Sequence, residues 1–113
     1  MTAPPPTRDR FVIEPIHPLP GTFDTRAMAR GEPGLPQRFT WRGKDYEVAD
    51  VLERRRETGP MKGGGEELYV RKHWATILTT SGHRMTLYFE RQPRSRRDAR
   101  RRWWLFSVTE PDP

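Results

Sequence analysis

The sequence predicts an all-β domain, a small five-stranded antiparallel barrel or bent sheet, preceded by an extended proline-rich N-terminal arm. Three observations carry this reading. Ten of the twelve aromatic residues fall within 37–109, whereas eight of the twelve prolines fall within 1–36. Two stretches of the aromatic part alternate apolar and polar side chains on either side of short glycine turns. No long amphipathic helix is visible in the 113 residues. The chain therefore divides into an arm over 1–36 and a small β domain over 37–109, with a basic loop or short helix over 91–102 inside the domain.

Each element follows in order. Proline fixes φ and lacks a backbone donor, so neither a helix nor a central strand can run through Pro15, Pro18, Pro20, Pro33 and Pro36. Residues 1–36 are read as extended and partly disordered, with one helical turn over Thr25–Arg30. Phe11, Val12, Ile13 and Ile16 suit docking onto a sheet edge or another protein. The first hairpin is Phe39-Thr40-Trp41, a two-residue loop at Gly43-Lys44, and Tyr46-Glu47-Val48, with Trp41 opposite Tyr46 and Phe39 opposite Val48. The second runs His73–Thr80, Ser81-Gly82, His83–Glu90, with Leu78 opposite Met85, Thr76 opposite Leu87 and Trp74 opposite Phe89. Arg102–Thr109 is the fifth strand, with Trp104, Phe106 and Val108 on one side and Trp103, Leu105 and Ser107 on the other. Residues 59–65 form a glycine-rich loop. The expected core is Phe39, Trp41, Val48, Trp74, Leu78, Leu87, Phe89, Trp104 and Phe106. The basic segment suits a short helix with Ser95 as its N-cap.

The pattern Phe39-x-Trp41-Arg42-Gly43-Lys44-x-Tyr46-x-Val48, then Val51-Leu52-Glu53, Arg56 to Gly59, Arg84 to Phe89 and Arg102-Trp103-Trp104-Leu105, resembles a family of small uncharacterised bacterial proteins filed as a domain of unknown function. The resemblance covers residues 37–109 and rests on structural motifs: a hairpin turn, cross-strand aromatics and a Trp-rich closing strand. Arg55 stands where the family pattern has a tryptophan. The resemblance implies a compact β domain in a bacterial cytoplasm, some members accompanying translesion-type DNA polymerases, and it carries no catalytic residues.

Composition narrows the function. Hydrophobic residues make up 33% and charged residues 32%, with a mean hydropathy of -0.96, below the apolar share of a fully packed domain. There is no cysteine, which excludes disulfides, Cys-ligated zinc and a thiol nucleophile. No apolar run approaches the roughly 18 residues of a membrane span, and the N-terminus lacks a signal pattern, so no membrane is expected and the cytoplasm is the expected compartment. The net charge is +6, and residues 91–102 alone carry seven arginines and one aspartate; the rest sums to zero. The 18 arginines against 3 lysines reflect codon bias as readily as selection, but that bias does not explain clustering.

Neither a cofactor nor a metal is expected. His17 is in the arm, and His73 and His83 lie at opposite ends of one hairpin, about 20 Å apart at roughly 3.3 Å per residue. Ser81, Ser95 and Ser107 lack a nucleophile-elbow pattern, and Lys62 precedes the glycines at 63–65 instead of following them as in a P-loop. The chain is therefore read as not an enzyme. The sharpest expectation is a nucleic-acid-associated domain, for DNA or RNA, with Arg94, Arg96, Arg97, Arg100, Arg101 and Arg102 on phosphates and Trp103 or Tyr88 stacking on a base. The alternative is a protein-interaction module that uses the arm, with the arginines contacting an acidic partner. Sharing of the arm between two copies would give a homodimer.

Overall fold

The computed structural model describes residues 9–30, 33–60, 68–90 and 102–111. Its elements are β1 (Asp9–Pro15), β2 (His17–Pro18), α1 (Thr25–Ala29), β3 (Arg38–Trp41), β4 (Lys44–Pro60), β5 (Leu68–Thr79), β6 (Arg84–Glu90) and β7 (Trp103–Thr109). The protein is all-β, in one curled, half-barrel sheet of order β1-β7-β6-β5-β4-β3-β2. It has seven strands where the sequence predicts five. The two additional strands come from residues 9–18, inside the stretch read as an arm. Pro15 and Pro18 end these strands at sheet edges, where a missing backbone donor is tolerated.

This N-terminal run bridges the two edges of the sheet. β1 pairs antiparallel with β7, and after the single residue Ile16, β2 pairs with β3. The Ile16 N–H donates to the Trp103 carbonyl at 3.1 Å, and its side chain is 2% exposed in the main core. Between Phe11 and Glu14 the register shifts at Ile13, which has φ 54°, a costly conformation for a β-branched residue. The shift leaves Phe11 and Ile13 exposed.

The first hairpin turns at Arg42-Gly43, one residue earlier than the sequence predicts. Both residues have positive φ, 50° and 75°, as a two-residue type I′ turn requires. Phe39 is therefore opposite Tyr46, and their rings stack at 5.8 Å. The correction leaves every side chain on its predicted face. Phe39, Trp41 and Tyr46 all enter the main core, with Val48 packed against it.

The second hairpin differs more. Its loop has three residues, Thr80-Ser81-Gly82. The Thr79 N–H bonds the His83 carbonyl at 2.9 Å, the Gly82 N–H bonds the Thr79 carbonyl at 3.0 Å, and Gly82 has φ 87°. This is the three-residue turn that needs glycine in the left-handed position. The extra residue shifts the register by one, so Ile77 pairs with Met85, Ala75 with Leu87 and Trp74 with Tyr88. Ala75, Ile77, Met85 and Leu87 now line the inner face, while Trp74 and Tyr88 turn outward. In β7 the register shifts at Phe106, which brings Trp103, Leu105 and Val108 to the inner face.

The expected core therefore splits. Phe39, Trp41 and Leu87 belong to the inner cluster, with Val48 and Phe89 at its margin. Trp74 and Trp104, with Tyr88 and the adjoining Phe106, form a second aromatic cluster on the outer face. Leu78 is half-buried on that face. Register shifts in β4, where Ala49 and Leu52 are the extra residues, bend the long strand and curl the sheet. Residues 19–30 and 33–37 fold back over the inner face: Asp24 N–H bonds the Leu35 carbonyl at 2.9 Å, Gln37 N–H bonds the Thr22 carbonyl at 2.8 Å, and Leu35 is wholly buried. The helical turn expected over Thr25–Arg30 is α1. Gly34 admits the close approach of Met28, whose side chain would lie 3.0 Å from an added Cβ.

Glu14 clamps the N-terminal run. Its carboxylate accepts from Arg42 Nε at 2.9 Å, Arg42 Nη2 at 2.8 Å and Trp41 Nε1 at 2.9 Å. The Arg42 bonds, followed by the Trp41 bond, hold this carboxyl below the usual carboxylate range. A carboxyl lowered by folding stabilises the fold above its unfolded pKa and loses that contribution as pH falls through the lower folded value. We expect Glu14→Gln to lower the melting temperature modestly at pH 7, the pair being exposed. The gap to the parent should close as pH falls below about 4, near the unperturbed glutamate range. A gap that does not change with pH would refute the clamp.

Candidate functional site

Of the predicted site residues, Arg102, Trp103 and Tyr88 are described, and Arg94, Arg96, Arg97, Arg100 and Arg101 lie outside the described residues. So does the helix expected after Ser95. Trp103 is 6% exposed and Tyr88 2%, so neither offers the open ring face that base stacking needs. Trp103 packs on Phe89 at 5.3 Å in the inner core, and Tyr88 lies 4.9 Å from Trp74 and stacks on Trp104 at 6.3 Å. The register shift at Phe106 and the three-residue turn account for both positions.

Arg102 sits where the basic segment rejoins the sheet. Its Nε donates to the Glu90 carbonyl at 2.8 Å, its own carbonyl accepts from the Glu90 N–H at 3.0 Å, and its guanidinium lies over the Phe89 ring at 5.1 Å. The exit of the segment after Glu90 and its return at Arg102 are thus fastened together. The adjoining row of the sheet reads Arg56, His73, Phe89, Trp103 across four strands.

That row borders a cationic cavity of about 310 Å³, lined by Arg30, Arg54, Arg55, Arg56, His73 and Trp74, with Trp103 among its other walls. By strand alternation Arg54 and Arg56 share the inner face with Ala75 and His73. Arg54 meets Asp24 at 3.3 Å, and the Arg55 guanidinium stacks over Trp74 at 4.7 Å. On the outer face Lys72 covers Tyr88 at 4.9 Å. The sequence reading missed this group. Its signal is the run Arg54-Arg55-Arg56, hidden in the charge sum by the flanking Glu53 and Glu57.

The family match covers residues 1–110. The chain belongs to the family described as a domain of unknown function, DUF6504. The match takes in β1 and β2 as well as the stretch over which the sequence shows its resemblance. No curated protein and no solved structure matches the chain. In this DUF6504 chain no helix among the described residues is long and apolar enough to cross a membrane. No group of three or more His, Cys, Asp or Glu residues there is arranged to hold a metal ion. His83 is engaged at the far end of β5, with Nδ1 2.8 Å from Ser81 Oγ and Nε2 2.9 Å from Glu110.

Proposed function

We propose that this domain is a non-enzymatic nucleic-acid-binding module that holds the phosphate backbone by arginine and does no chemistry on it. One observation carries the reading. The segment that supplies the whole net charge of +6 leaves and rejoins the sheet beside a second cationic group, Arg30 and Arg54 to Arg56. Long-range attraction for a polyanion then originates at one end of the molecule. Arginine suits phosphate because its planar fork binds two oxygens at once. With Trp103 and Tyr88 buried, stacking drops out of the proposal and affinity rests on charge.

The test is a salt titration against single-stranded DNA, duplex DNA and RNA. Each phosphate contact adds about 0.7–0.9 to the logarithmic salt slope. Four contacts give a slope of roughly -3 to -4 by the same rule. Replacing Arg96, Arg97, Arg100 and Arg101 with Gln should flatten the slope toward zero at an unchanged melting temperature. Parent-like binding by the quadruple variant, or its unfolding, would defeat the proposal. A second reading has an observation of its own: Phe11 and Ile13 are 69% and 49% exposed on β1. They favour a protein contact through the N-terminal run, either with an acidic partner or with a second copy. Association of that kind would persist at high salt and vanish in Phe11→Ser.

A further inference from the structure

We propose that a groove across the outer face of the sheet takes one unpaired guanine base of a single strand, with Glu53 and Arg55 reading its edge. The proposal rests on the nucleic-acid reading above and deepens it: the arginine segment holds any sequence, whereas this groove prefers one base. Register builds the groove. Glu53 lies opposite Thr76, Thr76 opposite Thr86, Thr86 opposite Ser107 and Ser107 opposite Phe11. One row therefore crosses five strands on a single face. Its middle three residues are small and leave a trough of about 250 Å³. Neighbouring strands lie about 4.8 Å apart, so Thr76 to Ser107 spans roughly 10 Å, room for one base. The next row along the strands is Arg55, Trp74, Tyr88 and Trp104, and its bulk forms one wall.

Phe106 extends that wall. It is the extra residue at the register shift of β7, is half-buried and lines the trough. Its ring meets Trp74 at 5.1 Å and Phe11 at 5.3 Å, edge to face in both contacts. Phe11 is 69% exposed, so its ring offers the open aromatic surface on which a base rests. The floor is polar. The Thr76 and Thr86 hydroxyl oxygens stand 3.5 Å apart, and each hydroxyl can donate and accept. Such a floor tolerates any base, and selectivity has to come from the end of the groove at Glu53. The trough is also within reach of the basic segment: Thr86 is four residues from Glu90 on β6, about 13 Å at roughly 3.3 Å per residue.

At that end stand one acceptor group and one donor group. Glu53 and Arg55 are exposed, two residues apart on β4 and on the same face as Thr76 and Trp74, about 7 Å from each other at roughly 3.3 Å per residue. Among the described residues Glu53 forms no ion pair, and Arg55 lies over the Trp74 ring at 4.7 Å without one. A guanidinium stacked in this way keeps its in-plane N–H donors for a ligand. A carboxylate accepts two hydrogen bonds side by side, and a guanidinium donates two. Guanine presents the complement, donors at N1 and N2 followed by acceptors at O6 and N7. Adenine and cytosine each offer a single amino group, and thymine a single imide N–H.

The experiment uses the full chain and one short oligothymidine whose central base is thymine, guanine, adenine or cytosine, with hypoxanthine as a fifth form. Affinities are compared by competition at a fixed, low salt concentration. The guanine form should bind about tenfold tighter than the thymine form, a difference of about 1.4 kcal/mol and within the reach of one bidentate base contact. Hypoxanthine lacks the N2 amino group and should forfeit most of that gain. Glu53→Gln should erase the preference for guanine and leave the salt slope where it was. Glu57→Gln, which alters the neighbouring outer-face carboxylate beside Lys72, should keep the preference. Should Glu53→Gln unfold, the hypoxanthine comparison tests the same contact on the parent protein. Equal binding of the four bases, a preference for a base other than guanine, or a guanine preference that hypoxanthine retains in full would each overturn the inference and leave the backbone reading intact. Failure of every oligonucleotide to bind at low salt would defeat both.

Discussion

Trp103→Ala is expected to destabilise the domain by about 3–5 kcal/mol, the usual cost of truncating a large buried aromatic side chain. The indole is 6% exposed, packs on Phe89 at 5.3 Å and shares the inner core with Leu87, Leu105 and Ile16. For a chain of this size the fall in melting temperature should exceed about 10 °C. Trp103→Phe keeps an aromatic against Phe89 and should retain most of the stability. The measurement separates two roles that the sequence alone leaves confounded. A tryptophan used for base stacking would weaken nucleic-acid binding and leave the melting temperature where it was. That pattern would refute the inner-face assignment and the register of β7 with it.

Ile16→Asp should be as damaging, at no less than about 4 kcal/mol, because it buries a carboxylate in the apolar core. Ile16 is the single residue between β1 and β2, is 2% exposed, and ties its N–H to Trp103. The substitution therefore strikes both pairings of the N-terminal run together. Ile16→Val, which removes one methylene, should cost only about 0.5–1.5 kcal/mol. Urea unfolding with an unchanged slope is the appropriate check. Near-parent stability of the aspartate variant would show that the run does not join the core.

The two hairpins show how far the sequence could be read. In the first, moving the turn from Gly43-Lys44 to Arg42-Gly43 slides each pairing by an even step, and side chains alternate with period two. Phe39, Trp41 and Tyr46 therefore stay on one face. In the second, one additional loop residue slides the pairing by an odd step, so Trp74 leaves the face that takes Leu87. Two- and three-residue loops are both well satisfied by Ser-Gly, and only tertiary packing chooses between them. The apolar residues on both faces of β5 and β6 removed the usual arbiter. β1 was obscured for another reason: prolines rule out central strands, but a strand that lies at a sheet edge accepts them at its end.

The cationic cavity was invisible to charge counting because its strand contribution is bracketed by glutamates. What reveals it is the strand itself. Alternation sends Arg54 and Arg56 to the side that elsewhere is apolar, and the neighbouring row brings the ends of the basic segment beside them. A linear sum over residues has no access to that geometry.

The pairing of β1 with β7 also dictates when the domain can fold. Asp9 lies opposite Thr109, 100 positions later in the chain. A ribosome adds about 5–20 residues per second, so β1 emerges roughly 5–20 s before its partner exists. Contacts this distant in sequence form slowly even when both strands are present. Until residues 103–109 are made, Ile16 and the backbone of β1 lack the partner that they have in the fold. The sheet can close only once β7 is available to β1.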